Sequence, residues 1–147
     1  MRFDIEVEIN ASPDRVWAAL VDVERWPDWM ASYTSVERLS QGPLTVGSAA
    51  RVRQPGLSAA TYTVTDLVPD EEFTWSSTTV GVRTTGRHVV QPRPDGRTAL
   101  LLSIEQTGVL AGPVGLLLGP KIRRFLTIES EGLRAAAETT GSGESHP

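Results

Sequence analysis

The sequence predicts an α+β domain in which a seven-stranded antiparallel sheet is covered by one long C-terminal helix, with two short helices after the first strand. Three observations carry this. The N-terminal stretch alternates apolar and acidic residues, six later segments of strand-like composition are separated only by short turn sequences, and residues 113–138, PVGLLLGPKIRRFLTIESEGLRAAAE, form the one run long enough to span a small domain. Short connections between successive strands impose antiparallel pairing, because parallel neighbours need a long crossover.

The first strand is read from Phe3, Ile5, Val7 and Ile9, which alternate with Asp4, Glu6 and Glu8. That period of two places apolar side chains on one face and carboxylates on the other. Ser12-Pro13-Asp14 then opens a helix: serine can cap free N–H groups, proline is pre-set for a first turn, and aspartate complements the helix dipole. Val16, Trp17, Leu20 and Val23 form its buried face. The residue before a proline is disfavoured in helical backbone, so DVERWPDW predicts a break near Trp26 and a second short helix or turn. Strands follow at Ser35–Leu39, Ala49–Gln54, Ala60–Val68, Glu71–Ser77, Val82–Gln91 and Thr98–Thr107, divided by turn residues such as Pro55-Gly56, Pro69-Asp70 and Pro92 to Gly96.

Alternation assigns the inward side chains as Val52 and Gln54, Tyr62 and Val64, Phe73 and Trp75, Gly86, His88 and Val90, and Leu100, Leu102, Ile104 and Gln106. Arg51, Arg53, Arg83 and Arg87 then face outward. In the final run, Leu118, Ile122, Phe125, Leu126, Leu133 and Ala137 recur at helical spacing and must be covered. Gly119-Pro120 interrupts the pattern and predicts a helix starting at Pro120, with a single kinked helix as the alternative. Gly132, inside the helix, is either a tolerated surface glycine or a point where a strand or ligand comes close. Residues 139–147, TTGSGESHP, have the composition of a disordered tail, leaving 1–138 as a single domain.

At 147 residues the chain can bury a real core without staples. It has no cysteine, which excludes disulfides and thiolate metal sites, and a formal net charge of -4 without the basic stripe that nucleic acid demands. No signal-peptide core and no apolar run of membrane-spanning length is present, so a soluble cytoplasmic protein without membrane insertion is expected. The edge at the second strand would permit a homodimer.

The order of strand, two helices, six antiparallel strands and long helix resembles the helix-grip fold of the SRPBCC, or START-like, superfamily. Within it, SPDRVWAALVDVERWPDW, the later RHVVQPRPDGRTALLLSIEQTG and the final helix are similar to the polyketide cyclase/dehydrase and lipid-transport family. The resemblance implies a sheet curled around the long helix, enclosing an apolar cavity for a hydrophobic small molecule. It places Leu118, Ile122, Phe125 and Leu126 on the cavity side, with Trp26 and Trp29 at the entrance.

Residues that can carry chemistry are few. His88 is the one histidine before the tail, which argues against a zinc site, and neither a G-x-S-x-G elbow nor a phosphate loop occurs. No metal or cofactor is expected. The cavity's polar handles are Tyr33, Tyr62, His88 and Gln106, with Arg51 or Arg53 added only if their strand has the reverse register. His88 is either a hydrogen-bonded core histidine or, as in cyclases, an acid or base. Tyr62 and Trp75 are core aromatics or ligand contacts, and Trp26 and Trp29 pack or gate. Leu102 completes the predicted lining. The expected function is binding of a lipid or polyketide-like molecule, extended to cyclisation or dehydration if the pocket is catalytic. The alternative is a protein-interaction module of the co-chaperone or ribosome-associated type, which requires an exposed apolar patch.

Overall fold

A computed structural model describes residues 1–79 and 81–144, with side chains through residue 139. The strands are β1 (Arg2–Ile9), β2 (Ser35–Arg38), β3 (Ala49–Arg53), β4 (Ala60–Val68), β5 (Glu72–Thr79), β6 (Val82–Pro92) and β7 (Thr98–Thr107). They form one antiparallel sheet in the order β1-β7-β6-β5-β4-β3-β2. Hairpins place each of β2 to β7 beside its neighbour in sequence, and β1 closes onto β7 with Phe3 opposite Ile104 and Ile5 opposite Leu102. All six later strands were expected at these places, with ends differing by at most two residues.

Helix α1 (Pro13–Val21) begins as predicted, but the Ser12 side chain makes no cap bond to the backbone. Its hydroxyl serves the Asp14 carboxylate instead, lowering that group's pKa. Val16 and Leu20 are buried by α1, while Val23 is buried by a separate 3-10 turn, Val23–Arg25. The second helix, α2, is one turn, Trp26–Trp29, with Pro27 in its first turn, where the missing N–H costs nothing; Trp26 itself is helical, so the expected break does not fall there.

The long helix, α3, runs without interruption from Ala111 to Glu144 and carries Pro120 inside it. The predicted start at Pro120 is therefore wrong, and of the kinked-helix alternative the single helix is what is seen. Proline deprives the Leu116 carbonyl of its partner, but Leu116 is 79% exposed, so that carbonyl lies on a wet face. The helical backbone also continues past residue 138, where a disordered tail was expected. Once nucleated, a helix adds residues at little cost. Residues 145–147 of that expected tail lie outside the described part.

The core lies between the sheet and the three helices, with Trp26, Phe73, Leu20, Leu100, Leu102 and Leu133 among its fully buried side chains. The inward faces of β3 to β7 follow the predicted alternation: Val52, Val64, Phe73, Trp75, His88, Val90, Leu100, Leu102 and Gln106 are all buried, and Arg51, Arg53, Arg83 and Arg87 are exposed. In β4 the register against β5 shifts between Val64 and Asp66, as at a β-bulge. Gly132 is buried where α3 crosses the end of α2. A Cβ there would sit 2.8 Å from the Trp29 carbonyl oxygen and 2.9 Å from Met30 Cβ. The glycine is thus neither a surface residue nor a ligand or strand contact, and serves helix-to-helix approach.

Candidate ligand-binding cavity

Between the concave sheet face and α3 lies a partly open cavity of about 100 Å³. Its apolar wall comes from Leu102 and Ile104 on β7 and from Leu118, Ile122, Phe125 and Leu126 on α3. These four helical positions share a face because three and four residues make about one turn. Leu57 of the β3–β4 loop, Tyr62 of β4 and Trp75 of β5 complete the apolar surround. Gly86 stands opposite Trp75, and the absent side chain leaves room for the indole, whose Nε1 would lie 3.3 Å from a Cβ there.

Tyr33, His88, Gln106 and Glu129 line the cavity, together with Gln54, Thr84, Arg87 and Ser103. The Tyr33 hydroxyl donates to Glu129 Oε1 at 2.5 Å. His88 Nδ1 lies 3.1 Å from the Phe73 carbonyl oxygen, and because a carbonyl only accepts, Nδ1 carries the proton. Nε2 is then the bare nitrogen and faces Glu129 Oε2 at 3.6 Å. The imidazole is further held by stacking on Phe73, with centroids 4.2 Å apart. Gln106 is 6% exposed, and its Oε1 has no partner among the described residues.

Burial sets the protonation of this cluster. It pushes the Glu129 carboxyl up to about 7, against the smaller opposing effect of the Tyr33 hydrogen bond. It pulls His88 down to about 4, opposed by the bond to Phe73. It holds the Tyr33 hydroxyl well above its usual range, aided by the neighbouring Glu129 charge, so the phenol stays a donor. Between about pH 4 and 7 the cluster is therefore a chain of neutral groups, and near pH 7 Glu129 is the member poised to exchange a proton. Arg87, which also lines the cavity, pairs with Glu72 at 2.7 Å, and among the described residues neither lysine nor arginine forms an ion pair with Glu129.

Most predicted site residues converge here: Tyr33, Tyr62, Trp75, His88, Leu102, Gln106, Leu118, Ile122 and Phe125 all line the cavity. Trp26 and Trp29 do not. Trp26 is fully buried behind the wall, its ring 5.1 Å from Tyr33 and 5.7 Å from His88, where it supports both. Trp29 is half-buried beneath the Arg25 guanidinium. Glu129 is the residue sequence reasoning missed. Its signal was present, since it interrupts the apolar stripe four residues after Phe125 and four before Leu133.

A curved antiparallel sheet gripping a long C-terminal helix around a lined cavity defines a helix-grip protein. The chain belongs to the polyketide cyclase / dehydrase and lipid transport family, whose model matches residues 1–138. Among solved structures it is similar to a hypothetical protein of Helicobacter pylori, with a TM-score of 0.81 and 16% identity over 93% of this chain and 88% of that one. It is also similar to the ZhuI aromatase/cyclase of Streptomyces sp. R1128, with a TM-score of 0.76 and 22% identity over 94% and 93%. A START superfamily protein of Mycobacterium smegmatis aligns with a TM-score of 0.70 and 18% identity over 91% and 97%. None of the curated proteins matches the chain significantly.

Proposed function

We propose that this protein binds a small, neutral, largely apolar molecule in the cavity, oriented by hydrogen bonds to Gln106 and Glu129. The observation that carries the reading is that the buried polar side chains His88, Gln106 and Glu129 line a cavity whose helix wall is apolar. An apolar body would lie against Leu102, Ile122 and Phe125, and a hydroxyl could donate to the unpartnered Gln106 Oε1. A carboxylate ligand would meet the buried Glu129 carboxyl, to which no lysine or arginine among the described residues is paired, so neutral compounds are selected. About 100 Å³ is well below the roughly 300 Å³ at which drug-sized sites begin, so the ligand is small or leaves part of itself in the opening beside Leu57 and Leu118. Membership of a polyketide cyclase and lipid-transport family supports a hydrophobic ligand. Native mass spectrometry with solvent extraction tests this: a discrete neutral compound should travel with the wild type and be lost from Leu118→Trp. A protein that carries no extra mass and takes up none from an apolar cell extract would overturn it.

A catalytic reading is favoured by one specific observation: the buried Glu129 carboxyl lines the cavity, accepts from the Tyr33 hydroxyl and faces His88 Nε2 at 3.6 Å, and burial raises its pKa to about 7. In that reading Glu129 is the proton donor and acceptor, Tyr33 holds it in place, and His88, neutral and tied to Phe73, acts as an acceptor rather than as the acid. Incubating the extracted compound with the protein near pH 7 should then give a product. Glu129→Gln should stop conversion while leaving affinity largely intact, and an unchanged rate would sink the role.

A further inference from the structure

We propose that the first turns of α3 form a docking face for an anionic lipid surface, on which the protein lies without spanning it. The face is built from residues four and seven apart, which a helix stacks on one side: Leu116, Pro120 and Arg123, with Leu117 and Arg124 beside them. Leu116 and Leu117 are 79% and 80% exposed, and Val109, just before the helix, is 89% exposed. Exposed leucines in adjacent positions are unusual for a surface that meets only water.

The charge pattern selects the partner. Residues 109–128 contain three of the chain's 14 cationic residues, Lys121, Arg123 and Arg124, and none of its 18 acidic residues. The whole chain is negative, so this end is a local reversal. None of the three cations forms an ion pair with a described residue, although Lys121 and Arg123 lie over the Phe125 and Phe3 rings. An apolar tip followed at once by unpaired cations on the same helix face is the arrangement by which interfacial helices bury leucines at the headgroup boundary while lysine and arginine meet phosphates. A protein partner would need only the leucines; the unpaired cations favour anionic lipid. No helix among the described residues is long and apolar enough to cross a membrane, so the contact is peripheral. Leu118 is next in sequence and lines the cavity, which puts the docking face beside the ligand site.

The test is flotation of the full chain with vesicles of phosphatidylcholine alone and of phosphatidylcholine mixed with phosphatidylglycerol. Binding is expected on the mixed vesicles, weakening as salt is raised. Leu116→Ser with Leu117→Ser should lower it by about tenfold or more. Lys121→Gln and Arg124→Gln should each lower it about fivefold. All four side chains stand outside the core, and an unchanged melting temperature would show that the variants fold. No flotation of the wild type, or flotation unaffected by the double serine variant, overturns the proposal. So does a wild-type dimer that the serine variant converts to monomer while neither binds vesicles, because the face would then belong to a second copy.

Discussion

Glu129 occupies a position that its helix otherwise gives to leucine and phenylalanine, and the consequence is a carboxyl that holds its proton to about pH 7. The effect on stability has a definite sign. A raised folded-state pKa favours the native state below the unfolded value of 4.5, and that advantage is lost as pH climbs through 7. His88 works in the opposite direction: lowered from 6.5 to about 4, it favours unfolding as pH falls through that interval. The two effects largely offset each other between about 4.5 and 6.5 in the wild type. Glu129→Gln removes one of them, so the variant should gain stability relative to the wild type as pH rises from 4.5 to 8, by about 3 kcal/mol over the range. Urea unfolding at a series of pH values measures this, and a difference that stays constant with pH would contradict the assignment. His88 and Gln106 were legible from alternation and the scarcity of polar residues on inward faces, whereas Tyr33, which precedes β2, was named only as a polar handle. What alternation cannot supply is the partner across the cavity, since Tyr33 and Glu129 are brought together only by the fold.

At the scale of elements, composition located every strand, because turn residues and apolar alternation are local signals. The long helix shows where local signals fail. Proline at 120 marks a helix start by its own chemistry, yet the solvent-facing side of α3 accommodates it, and packing of the turns on either side against β1 and β7 carries the helix through. Gly132 likewise reads as a mild defect until the end of α2 is placed against it. Gly132→Ala should therefore destabilise the protein by about 1–3 kcal/mol despite alanine's better helix propensity, since the Trp29 carbonyl has to move. A thermal melt at or above the wild-type midpoint would show that α2 yields freely.

At the scale of the molecule, the antiparallel meander and covering helix were predictable from the order of elements and the shortness of their connections. Cavity volume was not, because it depends on how far the rings of Tyr62, Trp75 and Phe125 reach inward, and no periodicity encodes that. The whole arrangement resolves to one claim: a small, largely apolar space in which the buried Glu129 carboxyl is paired, among the described residues, with neither lysine nor arginine. Calorimetric titration with 2-naphthol and with 2-naphthoate, matched in shape and different in charge, tests it most directly. Binding of the alcohol at one site per chain, at least about tenfold tighter than the carboxylate and lost in Leu118→Trp, is the expected result. Equal binding of the two, or binding that survives filling of the cavity, would contradict it.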